Sequence, residues 1–191
     1  MEKVLLACKD GHRSTRLLDY EIFYIMRYMG LPPSDVYQLK EDDFRIGRNG
    51  LELFKERAKE AIAEYAQPID KGDQEHDSEV LRIIEARISA TTKGERLFQQ
   101  PMTVNRSRNE KQDDQTRWGS NFSGRRIALQ ASLGLPQKGV KGLRATFVTT
   151  WLERGAPEAA IATWCGHSPG SAMIKKFYSQ TKASSYWKLS K

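Results

Sequence analysis

The run STRLLDYEIFYIMRYMGL places Leu17, Leu18, Ile22, Ile25 and Met29 at helical spacing, with Ser14 as a cap and Gly30 as a stop. PPSDVYQLKEDD restarts a helix: Pro33 suits an early helical position, and Val36 and Leu39 share a face. The pattern then changes period. In DFRIGRNGLELFKER, Phe44 and Ile46 alternate, RNG makes a turn, and Leu51 and Leu53 alternate again, which predicts a β-hairpin. AIAEYAQPI supplies a third strand.

Helical spacing returns in DSEVLRIIEARIS, with Val80, Ile83, Ile84 and Ile88 inward and Ser78 as its cap. From Gln99 to Arg117 the chain turns polar and irregular, which reads as a mobile surface segment. SGRRIALQASLG is helical again. GLRATFVTTWLERG follows, with Leu143, Phe147, Val148, Trp151 and Leu152 on one stripe and Gly155 at its end. APEAAIATWCG has Pro157 near its start and Gly166 after its end. The expected fold is mainly α with a small antiparallel β-sheet near the front, and no internal repeat is visible.

Composition adds bounds. The chain has 191 residues, enough for one domain with a sizeable core. It has no apolar run long enough to span a membrane, and its first residues lack the cleavage site of a signal peptide. Cys8 and Cys165 form neither a metal spacing nor a disulfide framework, so a reducing, cytoplasmic location is expected, nucleoid-associated in a bacterium. The formal charge of +7 favours a polyanionic partner such as nucleic acid.

The chemistry concentrates near the C-terminus. Lys141 and Arg144 are three apart at a helix start, so they project from one side. Cations there oppose the helix dipole unless an anion joins them. With His167 and Tyr178 alongside, the set suits attack by the Tyr178 phenol on a phosphodiester. Arg144 would hold the non-bridging oxygens while His167 and Lys141 stabilise the developing charge. Such a reaction needs neither metal nor nucleotide cofactor. Taken singly, each residue has a plainer reading: His167 bonding a turn carbonyl, Arg144 a surface charge, Tyr178 a packing tyrosine.

The run GLRATFVTTWLERGAPEAAIATWCGHSPGSAMIKKFY resembles the signature of the tyrosine recombinases, the phage-integrase family. The resemblance places Lys141 where the family usually has His, Arg144 at its second arginine, His167 at its later histidine and Tyr178 at its nucleophile, with Tyr186 as a fallback. MRYMGLPPSDVYQLKEDDF looks like the family's first box. The resemblance implies a catalytic domain over residues 1–182, containing the polar segment of about 100–117, and a tail over 183–191. It also implies double-stranded DNA as partner and a hairpin lysine that protonates the leaving oxygen, for which Lys59 is the first match and Lys55 the second. Self-association on DNA would run through the tail, with Trp187 and Leu189 as apolar anchors, the alternative being a tail that folds back on its own domain. Family members usually carry a separate N-terminal DNA-binding domain, and here the resemblance begins almost at Met1.

One departure bears on activity. The first-box arginine of the family aligns with Pro32, which has no donor. Arg27 lies upstream on the preceding helix and is not expected to reach the same phosphate. Two expectations follow. One is a DNA strand transferase working through a 3′-phosphotyrosyl intermediate. The other is a DNA-binding protein of the same fold whose cleavage is impaired. A type IB topoisomerase and a helical interaction protein unrelated to DNA are the remaining alternatives.

Overall fold

A computed structural model of the chain describes residues 2–9, 14–48, 50–56, 64–99, 114–137 and 139–167. Helices α1 (Glu2–Lys9), α2 (Ser14–Tyr28) and α3 (Pro33–Gln38) lead through a short 3₁₀ turn (Glu41–Asp43) into a sheet. Its strands β1 (Phe44–Gly47), β2 (Gly50–Glu56) and β3 (Glu64–Pro68) are antiparallel in the order β1-β2-β3. Helices α4 (Gln74–Ala90), α5 (Asp114–Ser132), α6 (Lys141–Glu153) and α7 (Glu158–Trp164) complete the described elements. The class is the expected one: mostly helical with a small antiparallel sheet.

Helix α2 is the central element. Leu18, Ile22, Phe23, Ile25, Met26 and Met29 are all buried. Leu17, expected on the same stripe, is 52% exposed and faces outward instead. The opposite side of α2 is closed by charge pairs. Asp19 receives two hydrogen bonds from Arg125 of α5, at 2.6 and 2.8 Å, and Glu21 pairs with Arg87 of α4. From Leu18 to Met26 every residue is buried, so the carboxylates in that stretch need partners supplied by neighbouring elements.

Three differences from the sequence expectations have local causes. Ile46 alternates correctly but is 83% exposed, because β1 is an edge strand and none of the described residues covers that end of the hairpin. Helix α4 starts earlier than Ser78 implied: Asp73 is its cap, accepting from the His76 backbone N–H, and Ser78 bonds back to the Gln74 carbonyl inside the helix. Helix α5 starts at Asp114, inside the segment expected to be irregular through Arg117. Its Trp118 and Phe122 stack with ring centres 5.4 Å apart and enter the core, which carries the helix about a turn ahead of its first obvious apolar residue.

Gly30 is where the front of the molecule meets the back. It ends α2 with φ +67°, and a Cβ there would meet Phe147 Cδ1 of α6 at 2.6 Å. Only glycine satisfies both the backbone and the contact. Beyond it, Phe147, Trp151 and Trp164 form a ring cluster, with centres 5.3–6.4 Å apart, that joins α6 to α7. No helix among the described residues is long and apolar enough to cross a membrane.

Candidate active site

Helices α5, α6 and α7 close in the same way. After α7, the Gly166 N–H bonds the Thr163 carbonyl at 2.8 Å and the His167 N–H bonds the Ala162 carbonyl at 2.8 Å, with Gly166 at φ +63°. This is a Schellman closure. It fixes the first residue beyond the helix, here His167, by two backbone bonds. The equivalent bonds after α6 run from Gly155 to Leu152 and from Ala156 to Trp151, and those after α5 from Gly134 to Ala131 and from Leu135 to Gln130.

The closure turns His167 back toward α6. Arg144 Nη2 lies 2.8 Å from His167 Nε2 and also donates to the Cys165 carbonyl. A guanidinium only donates, so the imidazole accepts at Nε2 in this arrangement. Lys141 opens α6 one turn before Arg144 and is exposed. Val140 occupies the cap position of this N-terminus, and among the described residues no side chain caps it. Lys141, Arg144 and His167 thus surround one helix start with cationic or polar groups.

Pro32 sits at the cap position of α3 with φ −73° and ψ 160°, and its carbonyl receives the Asp35 and Val36 N–H groups at 3.1 and 3.2 Å. Gly30 meets Phe147 at the middle of α6, three residues from Arg144 on one side and from Thr150 on the other, and Pro32 follows two residues later on the same turn. Arg27 reaches elsewhere. Its Nη1 lies 3.5 Å from Thr150 Oγ1, and its guanidinium lies over the Tyr28 ring. Thr150 is six residues beyond Arg144, about 9 Å along the axis, so Arg27 serves the other half of α6.

The two hairpin lysines separate. Lys55 is near the end of β2, 6% exposed, with Nζ 3.3 Å from Asp43 Oδ2, an oxygen that also accepts the Lys40 N–H at 2.9 Å. Lys59 lies outside the described residues, as do Tyr178, Tyr186, Trp187 and Leu189. Sequence reasoning missed the Cys165 carbonyl as an anchor for Arg144, though the Gly-His pair after a helix was the available signal. It also missed Gln67, a fully buried amide on β3 that no local pattern marks.

A second polar cluster lies at the far end of α6. Arg154 pairs with Asp73, and His76 is stacked on Tyr28, ring centres 3.9 Å apart, while its Nδ1 is 2.7 Å from the Tyr24 hydroxyl. Burial of Asp73 opposes its ionisation, but the Arg154 and His76 hydrogen bonds outweigh it and hold the carboxyl below its usual range. Burial, with Tyr28, Tyr20 and Glu79 nearby, pushes the Tyr24 phenol far up, so it stays protonated.

Comparison with solved structures identifies the architecture. The XerA recombinase superposes with a TM-score of 0.64 at 19% identity, covering 98% of this chain and 61% of that one. A structure of the XerH site-specific recombinase bound to palindromic difH substrate gives 0.61 at 15%, covering 98% and 51%. The Tn1549 transposon integrase in complex with transposon right end DNA gives 0.58 at 17%, covering 100% and 64%.

The fold is that of a tyrosine recombinase catalytic domain.

This chain spans between 51% and 64% of the length of those three proteins. No protein-family model matches it, and no curated protein does. On this fold Arg144 contacts His167, the exposed Lys141 stands one turn away on α6, and Pro32 lies two residues beyond the Gly30 that meets Phe147 of the same helix.

Proposed function

We propose that this chain is the strand-transferring part of a site-specific recombinase. It binds double-stranded DNA, and the Tyr178 oxygen attacks a backbone phosphorus. The phenol gives up its proton to solvent and the O–P bond to Tyr178 forms as the bond to the 5′-oxygen breaks, leaving a 3′-phosphotyrosyl link and, once that oxygen is protonated, a 5′-hydroxyl. Attack by another 5′-hydroxyl reverses the step and rejoins the strand. The observation that carries this reading is the 2.8 Å approach of Arg144 to His167 beside the exposed Lys141. His167 and the Cys165 carbonyl take only part of the guanidinium. Arg144 and Lys141 therefore leave two cations at a helix start with no side-chain cap hydrogen bond among the described residues, where a phosphodiester would answer the charge.

In this reading Arg144 holds the non-bridging oxygens as a fork, and His167 and Lys141 stabilise charge on the pentavalent phosphorus. A hairpin lysine, Lys59 or Lys55, gives its proton to the departing 5′-oxygen. Most affinity comes from phosphate contacts, so binding weakens steeply with salt. Protomers associate on DNA through the tail, with Trp187 and Leu189 as anchors.

Pro32 supports a second reading: a recombinase-fold protein that binds DNA but cleaves it poorly. The position offers no donor, and Arg27 is turned toward Thr150. The test is covalent trapping on nicked duplexes that lose a short fragment when cut. Protein-linked DNA on a denaturing gel, absent in Tyr178→Phe, supports strand transfer. Salt-sensitive duplex binding with no adduct supports the second reading, and no binding at low salt removes both.

A further inference from the structure

Gln67 has no exposed surface and sits on β3 directly opposite Leu53 of β2. Its Nε2 donates to the Met29 carbonyl at 2.8 Å, across 38 residues of sequence. Its Oε1 is buried with no hydrogen-bond partner among the described residues. The orphaned Oε1 contributes nothing to the core, so any stabilisation by this amide comes from the bond its Nε2 makes, and removing that bond leaves the Met29 carbonyl without it.

What the amide does hold is specific. Met29 is the residue between α2 and the positive-φ Gly30. Three and four residues later come Pro32 and Pro33, neither of which has a backbone N–H. The turn therefore lacks two successive donors, and Gln67 brings one in from the sheet. Strand side chains alternate, so Gln67 and Leu53 share a face with Lys55, diagonal to Gln67 across the pair and about 7–8 Å away. On its other side the turn rests on Phe147, one turn of α6 from Arg144.

We propose that Gln67 is a positioning residue of the strand-transfer site: its amide replaces the donors that Pro32 and Pro33 lack, and fixes the Met29–Pro33 turn between the Lys55 face of the sheet and α6. The role in transfer rests on the function proposed above; the amide link itself does not.

Thermal unfolding of Gln67→Glu and Gln67→Met, from pH 4 to pH 8, tests the link without DNA. A protonated glutamic acid can still donate to the Met29 carbonyl, whereas an ionised one faces it with like polarity. Burial raises that carboxyl, so its stabilising contribution is complete below the ordinary carboxyl range and is lost as pH rises through the raised value. Gln67→Met is expected to lower Tm by about 3–6 °C at every pH. Gln67→Glu is expected to match the parent at pH 4 and fall below Gln67→Met by pH 8. In a Pro32→Ala/Pro33→Ala chain, which regains two N–H groups, the loss from Gln67→Met should shrink by half or more. Gln67→Glu following Gln67→Met at all pH values, or equal losses in both backgrounds, would overturn the link.

Covalent trapping then tests the role. Gln67→Met is expected to slow adduct formation at least 10-fold while duplex affinity stays within about two-fold. An equal fall in both, or in neither, overturns the positioning role. An adduct-free parent removes the strand-transfer reading and this role with it, while the pH signature of Gln67→Glu still decides the link.

Discussion

Arg144 and His167 meet nitrogen to nitrogen at 2.8 Å, though 23 residues separate them and each stands on a different element. The Schellman closure of α7 sets one side, and the first turn of α6 sets the other. The Cys165 carbonyl takes part of the guanidinium, so the fork is aimed before any ligand arrives.

Replacing that fork with a point charge separates aiming from attraction. Arg144→Lys keeps the charge but cannot bond the Cys165 carbonyl, His167 and a phosphate together. Adduct formation is expected to fall about 10²–10³-fold, the usual effect of losing one preorganised donor, with duplex affinity changed only a few-fold. Parallel trapping and gel-shift titrations measure both. Equal losses in the two would show that Arg144 acts as a general DNA contact.

Gly30→Ala strikes the joint between the first box and α6. It adds a strained backbone and a Cβ 2.6 Å from a Phe147 ring carbon, together about 2–4 kcal/mol. Tm should drop by roughly 5–15 °C. Gly94→Ala is the control: φ is +86° but no atom lies within 4 Å of its Cβ, so only the backbone strain remains. Similar losses at the two positions would mean that Phe147 moves aside at little cost.

Much of this architecture was legible because single elements carry it. Ile83 and Ile84, or Phe147 and Val148, announce their helices and inward faces by period alone, and Gly155 and Gly166 mark real ends. What stayed hidden depends on distant partners. The burial of Asp19 and Glu21 has no local signal, since Arg125 is 106 residues away and Arg87 is 66. Ile46 follows strand alternation, but sequence does not say which strand is the edge. At the site, the Gly-His pair and Arg144 were visible as motif, and their contact needed the α7 closure. Lys55 and Lys59 are indistinguishable by composition; only folding shows that Lys55 is buried against Asp43. Gln67 gave no signal, because its meaning lies in two prolines on another element.

Lys71 is the clearest titration handle. Its Nζ lies 5.9 Å from the Trp164 ring centre and 3.4 Å from the Ile69 carbonyl. Burial pushes its pKa down from 10.5 to about 8, against the pull of Asp77, Asp70 and Asp73. Between those values the unfolded chain binds the extra proton, so stability from this group rises with pH across that window. Lys71→Met removes the effect. The variant is expected to be more stable than the parent near pH 7, by at most about 2–3 kcal/mol, with the gain fading as pH approaches 10.5. Paired urea titrations at pH 7, 9 and 10.5 measure it. A constant difference would show that Lys71 titrates normally.

Pro32→Arg addresses the missing clamp. The backbone there is extended, at φ −73° and ψ 160°, a conformation open to any residue, and the proline bonds onward only through its carbonyl. Arginine therefore enters without strain, α3 keeps Pro33 at its first turn, and the fold should survive unchanged. If the phosphate sits beside Arg144, a second guanidinium on this turn shares the transition-state charge. Such clamps contribute on the order of 10³–10⁵ in related phosphoryl chemistry. The adduct rate is expected to rise at least 10²-fold in Pro32→Arg, and the rise should vanish in Pro32→Arg/Tyr178→Phe. The gain should also be lost with Arg144→Ala, since one fork alone cannot hold the phosphorus in line. An active parent that gains nothing from Pro32→Arg would place the compensating donor elsewhere, and screening the exposed cation Lys141 by substitution would then come next.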